Sequence, residues 1–315
     1  MSKMSPTTRN QAIGRGLALR RFMRRNSTGY LFILPLVAFL LLYQLYPILR
    51  VLWLSFTNFR NLYPDGTAFV GLRNYTHALQ DPIFWQGIAQ AAEFTAIFIP
   101  GGVLFPVLLA ILLDRVRNPR LAGVYRTLLY IPALIPGPLV FILWNWIYGP
   151  TQGLLNLILI GGLHLGSWNN PPTWLGSDAW VIPCIAFMEW WWGLGYHTIF
   201  FMVGLSGISN DLYEAARIDG ASERQIAWRI SLPLLKPMLL IILILRLSTA
   251  MGVLVEYLIM GHDPFHPWTV YMYNLAFQNA MPMGHAAAIG WLGAIIMLAF
   301  ALVLYYFLRP DPESR

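Results

Sequence analysis

Charged side chains inside apolar segments are the first residues in this 315-residue chain that could do chemistry: Glu93, Glu189, Arg246 and Glu256. A charge at the centre of a bilayer costs at least about 2.5–3.5 kcal/mol on insertion scales. Each is therefore expected to face a partner or a water-filled cavity, which makes them candidates for a translocation path. Arg246 and Glu256 are nearly three helical turns apart, so they cannot pair along one helix.

Glu189 opens the most suggestive segment, which continues with Trp190, Trp191, Trp192, Tyr196 and His197. Aromatic faces can pack on the C–H side of a sugar ring while polar groups bind its hydroxyls, and this segment supplies both. The alternative is a helix that packs its tryptophans on neighbours and uses Glu189 to bond across helices. Both interpretations stay open. Asn145 is a weaker candidate for the same path.

Residues that could catalyse a reaction or bind a metal are few. His262, Asp263 and His266 share a proline-punctuated loop, where a structural turn is favoured over metal ligation because a fourth ligand is lacking. The single cysteine, Cys184, lies in an apolar stretch. Neither of the two lysines follows a Gly-rich phosphate-binding loop. We expect no catalytic site, no metal and no bound cofactor on this chain.

Composition indicates an integral membrane protein. The chain is 57% hydrophobic and 11% charged, with a mean hydropathy of +0.56, so it lacks the polar surface that a soluble domain of this size needs. The net charge of +7 does not indicate nucleic acid, because the basic residues lie in the gaps between apolar runs.

Apolar segments long enough to cross a hydrocarbon core, which takes about 20 helical residues, occur six times. They span residues 31–56, 87–113, 124–148, 179–205, 234–260 and 285–308. The third is interrupted by Pro132, Pro136 and Pro138, which transmembrane helices tolerate when neighbours satisfy the freed backbone groups. The prediction is an all-α integral membrane protein with six transmembrane helices.

The distribution of lysine and arginine predicts the orientation. Most of them lie in a basic tail at 1–29, around residues 114–126, within residues 211–237 and near the C-terminus. This asymmetry places both termini and residues 211–237 in the cytoplasm. We expect a cytoplasmic tail at 1–29 without a cleavable signal, a membrane domain at 30–309 and a cytoplasmic C-terminus at 310–315.

Residues 211–237 form a charged island between two apolar segments. Local chemistry predicts a first helix capped by Asp211 and ended by Gly220, since glycine tolerates the left-handed conformation that closes a helix. The Ser222–Gln225 pair has the spacing of a capping box for a second helix, which should stop before Pro233. The predicted result is a compact two-helix knob at the mouth of a membrane segment.

This island resembles the EAA loop of membrane-spanning permease subunits of binding-protein-dependent ABC importers. The match is EAAxxDGA followed by IxLPxxxP, carried by Glu214, Ala215, Ala216, Asp219, Gly220, Ala221, Ile230, Leu232, Pro233 and Pro237. Residues 31–48, 69–75 and 149–156 are similar to the carbohydrate-uptake, maltose-type branch, and the resemblance covers about 30–309. Where the family usually has phenylalanine, this chain has Ala227 beside Trp228.

The resemblance implies a permease subunit in the bacterial or archaeal cytoplasmic (inner) membrane that forms half of a path for a di- or oligosaccharide. Its implied partners are a second, homologous permease, two cytoplasmic ATPase subunits that hold ATP and Mg²⁺, and an extracellular or periplasmic solute-binding protein. It also implies that Glu214 meets basic or polar groups of the ATPase. Gly220 would allow close approach, and Leu232 with Pro233 would hold the knob rigid.

Other functions are open at this point. The same architecture could import glycerol-3-phosphate or another polyol, and a phosphate would require Arg246 in the path. An ion-driven carrier would use Glu93, Glu189 or Glu256 as ion sites and would carry paired repeats. A membrane enzyme acting on lipid-linked sugar would use the same carboxylates as acid and base. The last two do not explain the EAA spacing.

Overall fold

A computed structural model describes residues 27–60, 65–116, 118–261, 266–278 and 282–308. These residues form helices and turns, with an isolated β-bridge between Thr57 and Phe69. Most of the predicted tail at 1–29, the C-terminus at 310–315, His262 and Asp263 lie outside the described residues. Statements about them stay predictions.

The α-helices, numbered in chain order, are α1 Ser27–Leu40, α2 Tyr46–Ser55, α3 Arg73–Gln80, α4 Pro82–Asp114, α5 Pro119–Tyr130, α6 Gly137–Ile147, α7 Leu154–Asn156, α8 Val181–Ser206, α9 Asn210–Ile218, α10 Glu223–Ile226, α11 Leu232–Leu234, α12 Lys236–Met251, α13 Val255–Met260, α14 Trp268–Phe277 and α15 Met283–Leu308. Wider π-helical turns follow α1, α7 and α10, at Leu41–Leu45, Leu157–Gly162 and Ala227–Ser231. A 3-10 turn, Ile131–Leu134, follows α5.

Membrane-crossing helices agree with the predicted fold class. Three described helices are long and apolar enough to cross a membrane: Gly29–Ser55, Pro82–Asp114 and Met283–Phe307. Two bent pairs, α5 with α6 and α10–α11 with α12, raise the number to five if each is one span. The predicted fourth segment is the 26-residue helix α8, whose glutamate, histidine and tryptophans make it less apolar. The all-α membrane fold is confirmed, and six crossings stay a prediction.

Prolines break the predicted third segment, as their positions suggested. The chain turns by 91° between α5 and α6. Pro132 lies in the 3-10 turn, and Pro136 precedes α6 with an extended backbone that cannot continue a helix. The carbonyl of Ile135, freed by this break, accepts a 3.1 Å hydrogen bond from the indole N–H of Trp192. A neighbouring helix therefore satisfies the broken backbone.

The core is built around α4, which packs along α8 and also contacts α12 and α14. One buried cluster joins α4, α6 and α8 through Phe94, Phe98, Phe141, Trp144 and Met188. A second joins α4, α8 and α12 through Val107, Phe201, Leu205 and Ile242. A third joins α4 to α12, α14 and α15 through Phe84, Leu247, Trp268 and Ile289. Since lipid tails are as apolar as these side chains, close packing holds the helices together.

Gly195 of α8 generates a test of this close packing. A Cβ at Gly195 would collide with the main chain of Leu129 and Tyr130, which cannot move aside as a side chain can. Gly195→Ala should therefore lower the thermal midpoint of the purified protein, because overpacking costs about 1–3 kcal/mol. Gly123→Ala is the control, since nothing lies within 4 Å of a Cβ there. Equal melting temperatures for the two variants would contradict the predicted contact.

Candidate functional site

Helix α9 begins the predicted two-helix knob, and its cap differs from the prediction. Ser209, with an extended backbone, is the capping residue, and its Oγ accepts a hydrogen bond from the N–H of Asp211 at 3.3 Å. The prediction that Asp211 caps the helix is wrong. Asp211 lies in the first turn instead, where its negative charge complements the positive end of the helix dipole.

Gly220 closes α9 as predicted. Its φ is +79°, a left-handed conformation that favours glycine. The N–H of Ala221 bonds the carbonyl of Ala216 at 2.9 Å, and the N–H of Gly220 bonds that of Arg217 at 3.1 Å. This pair of bonds is the Schellman closure of a helix end. The turn between the two knob helices is therefore fixed by main-chain bonding.

The second knob helix starts as predicted but ends later. Ser222 and Gln225 form a capping box: the Ser222 N–H donates to Gln225 Oε1 at 2.7 Å, and the Gln225 N–H donates to Ser222 Oγ at 3.4 Å. The helix does not stop before Pro233, and that prediction is wrong. It widens into a π turn, which accommodates the missing N–H and bulky ring of proline, and continues to Leu234 before a 65° bend into α12.

Exposed residues of the EAA-like segment surround the Gly220 turn. Glu214, Ala215, Asp219 and Gly220 are exposed, Ala216, Ala221, Ile230 and Leu232 are half-buried, and Pro233 is exposed. Where the family resemblance leads us to expect phenylalanine, Ala227 is buried while Trp228 is 55% exposed. Trp228 therefore does not occupy the place of the residue at 227.

Ile218 is a surface feature that the sequence reasoning missed. It is 86% exposed at the end of α9, although it is a large apolar side chain. Leu212 on the same helix is also exposed. Two large apolar side chains therefore project from this charged knob. In the sequence, these two apolar residues could have been noticed because they lie in a segment that is otherwise rich in charge.

The knob contacts the C-terminal end of α4. Arg115 Nη2 donates a 2.8 Å hydrogen bond to the carbonyl of Glu223, and Arg217 Nε lies 3.1 Å from Glu223 Oε1. A cavity of about 510 Å³ opens beside these residues and is also lined by Glu214 and Tyr213. The Tyr213 hydroxyl contacts Ser231 Oγ at 3.3 Å. The knob therefore contacts the end of α4 as well as leading into α12.

Arg246 is buried among the transmembrane helices. The side chain is on α12, the residue is 3% exposed, and its guanidinium carbon lies 4.6 Å from the centre of the Phe98 ring. A Cβ at Gly102 or Gly193 would lie 3.0 Å and 2.9 Å from guanidinium atoms, so these glycines make the space. Arg246 Nε has no hydrogen-bond partner among the described residues. The charge is thus held by an aromatic ring and by close backbone approach.

His197 completes one side of this pocket. Its Nδ1 lies 2.6 Å from the Gly193 carbonyl and 3.2 Å from Arg246 Nη2. A carbonyl oxygen can only accept, so the shorter contact assigns the proton to Nδ1. Nδ1 then has no lone pair for Arg246. The guanidinium is left with more donors than the surrounding side chains satisfy.

Glu189 is the acid that interacts with Arg246. Glu189 is 4% exposed, interacts electrostatically with both Arg246 and Glu256, and has an Oε1 without a hydrogen-bond partner in the described part of the chain. Glu256 Oε2 accepts a 3.1 Å hydrogen bond from the Leu254 N–H. Glu189 of α8 thus interacts with ionisable groups on both α12 and α13, as burial of charged groups favours.

The three tryptophans after Glu189 pack against neighbouring helices. Trp190 donates to the Phe98 carbonyl at 2.7 Å, and Trp191 meets Trp144 edge to face. Trp192 donates to the Ile135 carbonyl just before α6. All three tryptophans thus contact neighbouring helices, as the interpretation that they serve packing expects. Tyr196 is the exposed aromatic of this segment, at 41%.

Two other sequence candidates lie outside the arginine pocket. Asn145 Nδ2 donates to the Ile259 carbonyl at 3.4 Å and links α6 to α13. Glu93 is exposed on α4. Phe98 belongs to the pocket and was missed, because the face of α4 that meets α12 cannot be read from an apolar helix.

Comparison with known proteins identifies the family. Residues 102–309 match the model of the binding-protein-dependent transport system inner membrane component. The chain is 31% identical over 289 residues to the probable ABC transporter permease protein YurN of Bacillus subtilis, covering 90% of this chain and 97% of that one. It is 31% identical over 283 residues to the trehalose/maltose transport system permease protein MalF of Thermococcus litoralis, covering 89% and 93%.

A solved structure has the same fold. The crystal structure of a bacterial ABC transporter involved in the import of the acidic polysaccharide alginate contains a chain that superposes with a TM-score of 0.80. The two chains are 23% identical, and the match covers 93% of this chain and 98% of that one. The family match, the two relatives and the shared fold confirm the resemblance found in the EAA-like segment, and this chain belongs to the inner membrane components of binding-protein-dependent transport systems.

Proposed function

We propose that this chain forms half of the path of an ATP-driven importer for a di- or oligosaccharide. The observation that carries the proposal is the buried Arg246 pocket, in which Arg246 Nε and Glu189 Oε1 lack partners among the described residues. The two groups interact electrostatically but form no ion pair within 4.0 Å, so each is open to a hydroxyl group, which both accepts and donates. The named substrates of relatives such as the trehalose/maltose permease support a sugar.

The charges of the pocket favour a neutral sugar over glycerol-3-phosphate. Arg246 is the cation there, Glu189 interacts with it electrostatically, and Glu256 interacts with Glu189. A phosphate beside Arg246 would also meet the Glu189 carboxyl group, and like charges at short range repel. A sugar hydroxyl has no such conflict. The exposed ring of Tyr196 adds aromatic surface of the kind that sugar rings contact.

We further propose that residues 211–237 couple the path to a separate ATPase chain. An exposed, rigid turn at Gly220 and the projecting Ile218 give the shape and apolar surface for docking in a cleft. Glu214 would meet a basic or polar group of the ATPase. Closure of the ATPase pair around ATP and Mg²⁺ would then move α12 through the bend and α4 through Arg115.

The complete transporter in this proposal contains a second permease, two ATPase subunits and an external solute-binding protein. The family description, which names binding-protein-dependent transport, supports the last of these. The chain would contribute no ATP-hydrolysing site. Both termini would lie in the cytoplasm, in keeping with the distribution of arginine and lysine.

The coupling proposal is tested at Ile218. In vesicles containing the assembled transporter, Ile218→Asp should reduce sugar-stimulated ATP hydrolysis about tenfold or more, since a charge would be buried at the docking surface. Ile218→Leu, which keeps the apolar volume, should stay within about twofold of wild type. Glu214→Ala should lose stimulation as well.

Equal stimulation in the aspartate and leucine variants would contradict docking through this surface. Transport by this chain alone on an ion gradient, unaffected by Ile218→Asp or Glu214→Ala, would instead support the ion-driven carrier.

The path proposal is tested at Arg246. Arg246→Met keeps length and loses the donors, so uptake of a neutral oligosaccharide should fall about tenfold or more, the discrimination that unpaired buried polar groups produce. Thr249→Val on an exposed face of the same helix is the control and should leave uptake unchanged. The readout is uptake of radiolabelled sugar with ATP hydrolysis measured in parallel.

Unchanged uptake in Arg246→Met would remove this pocket from the path. If Arg246→Met lowers uptake of a phosphorylated substrate more than uptake of a neutral one, glycerol-3-phosphate would be favoured over the sugar.

A further inference from the structure

The outer half of α4 carries a face that the described part of the chain leaves uncovered. The exposed residues recur every three or four positions and therefore share one side of the helix: Gln86, Ala89, Glu93, Ala96 and Pro100. The buried residues of the same helix lie elsewhere on its surface: Phe84, Ala91, Phe94 and Phe98. This set of five exposed residues, the α4 outer face, combines small and polar groups.

Glu93 makes the α4 outer face unsuitable for lipid. It lies about 17 Å from the start of a helix about 50 Å long, and so within the hydrocarbon region. It is exposed and forms no hydrogen bond or ion pair with the described residues. A carboxylate at that depth faces a protein group or water.

A second acceptor lies on the same face. Pro100 has no N–H, so the carbonyl of Ala96 lacks its usual helical donor. Glu93 has no donor among the described residues and the Ala96 carbonyl lacks the Pro100 N–H, so both groups suit donors from a neighbouring helix. Ala89 and Ala96 are seven residues apart and have small side chains, which lets a second helix backbone approach closely.

The α4 outer face is separate from the arginine pocket. Gly102, which contacts Arg246, is nine residues from Glu93, or two and a half helical turns. The two residues therefore point to opposite sides of α4. Glu93 accordingly has a role that the proposed sugar pocket does not use.

We propose that the α4 outer face is the seat of a transmembrane helix of the second permease subunit, which donates hydrogen bonds to Glu93 and to the Ala96 carbonyl. The occupant is a helix with a basic, hydroxyl or amide side chain opposite Glu93. Small residues at a seven-residue interval fit a packed helix, whereas a water-filled path needs none. The inference rests on the proposed transporter having two permease subunits.

The first test measures assembly. The complete transporter is purified through a tag on this chain, and the second permease retained is quantified for wild type, Glu93→Leu and Glu93→Gln. Glu93→Leu should retain about fivefold less partner, because its donor is left unpaired in the bilayer. Glu93→Gln keeps a hydrogen-bond acceptor and should stay within about twofold of wild type.

The second test identifies the occupant. Cys184 is the only cysteine in the sequence, so Cys184→Ala with Ala96→Cys presents one thiol on this face. That thiol should resist a charged maleimide in the assembled transporter, and a photo-crosslinking amino acid at Gln86 should join this chain to the second permease. Ala91→Cys, buried within this chain, is the unlabelled control.

Three results would overturn the inference: wild-type retention of the partner by Glu93→Leu, labelling of Ala96→Cys by the charged maleimide, or cross-links to lipid alone. Wild-type retention of the partner by Glu93→Leu, together with normal sugar uptake, would contradict this inference and leave the proposed function unaffected. If wild type retains no second permease, both fall. None of these readouts requires sugar.

Discussion

Burial of the Arg246 guanidinium is the constraint on which the arrangement of the central helices depends. A cation cannot be left in the middle of a membrane protein without compensating groups, and here they come from two neighbouring helices, α4 and α8. Phe98 of α4 supplies an aromatic face, and Glu189 of α8 supplies negative charge. The glycines at 102 and 193 allow both helices to approach the guanidinium. The crossing of α4, α8 and α12 is thus adapted to one side chain.

Helices α4 and α12 connect the pocket to the two-helix knob. Helix α12 leads from the bend after Leu234 to Arg246, and α4 leads from Arg115 to Phe98. The exposed ion pairs around Glu223 add little stability individually, since surface salt bridges are worth about 0–1 kcal/mol. They instead fix the orientation of the knob relative to α4, because Arg115 also bonds the main-chain carbonyl of Glu223, which is less mobile than a side chain.

Local chemistry explains which parts of the knob could be predicted. The end at Gly220 and the Ser222–Gln225 capping box depend on residues within one turn, so sequence spacing was sufficient. Ser209 and Asp211 are both good caps two positions apart, and the choice depends on where α8 ends. The helix through Pro233 required a π turn, which depends on packing at Ser231 and is invisible in a list of residue types. The family resemblance gave the fold, since it extends over most of the chain.

Rotation of each helix explains what the sequence left open. Glu93 and Glu189 look alike in sequence, each an acid in an apolar run, yet one is exposed and the other buried beside Arg246. An apolar helix gives no periodic signal for its inward face, so the membership of Phe98 in the pocket could not be predicted. The tryptophans after Glu189 were equally open to two interpretations until their indole N–H partners were known.

Helix α4 has a further consequence because it is a single element of 33 residues. Such a helix is about 50 Å long, so a tilt of about 5° around its midpoint moves each end by about 2 Å in opposite directions. Phe98 and Gly102 lie near that midpoint, while Arg115 immediately follows the C-terminal end of the helix. Rigid tilting would therefore displace the knob contact while leaving the surroundings of Arg246 nearly still. In mechanical terms the pocket is placed near a fulcrum, and the knob at the end of the lever.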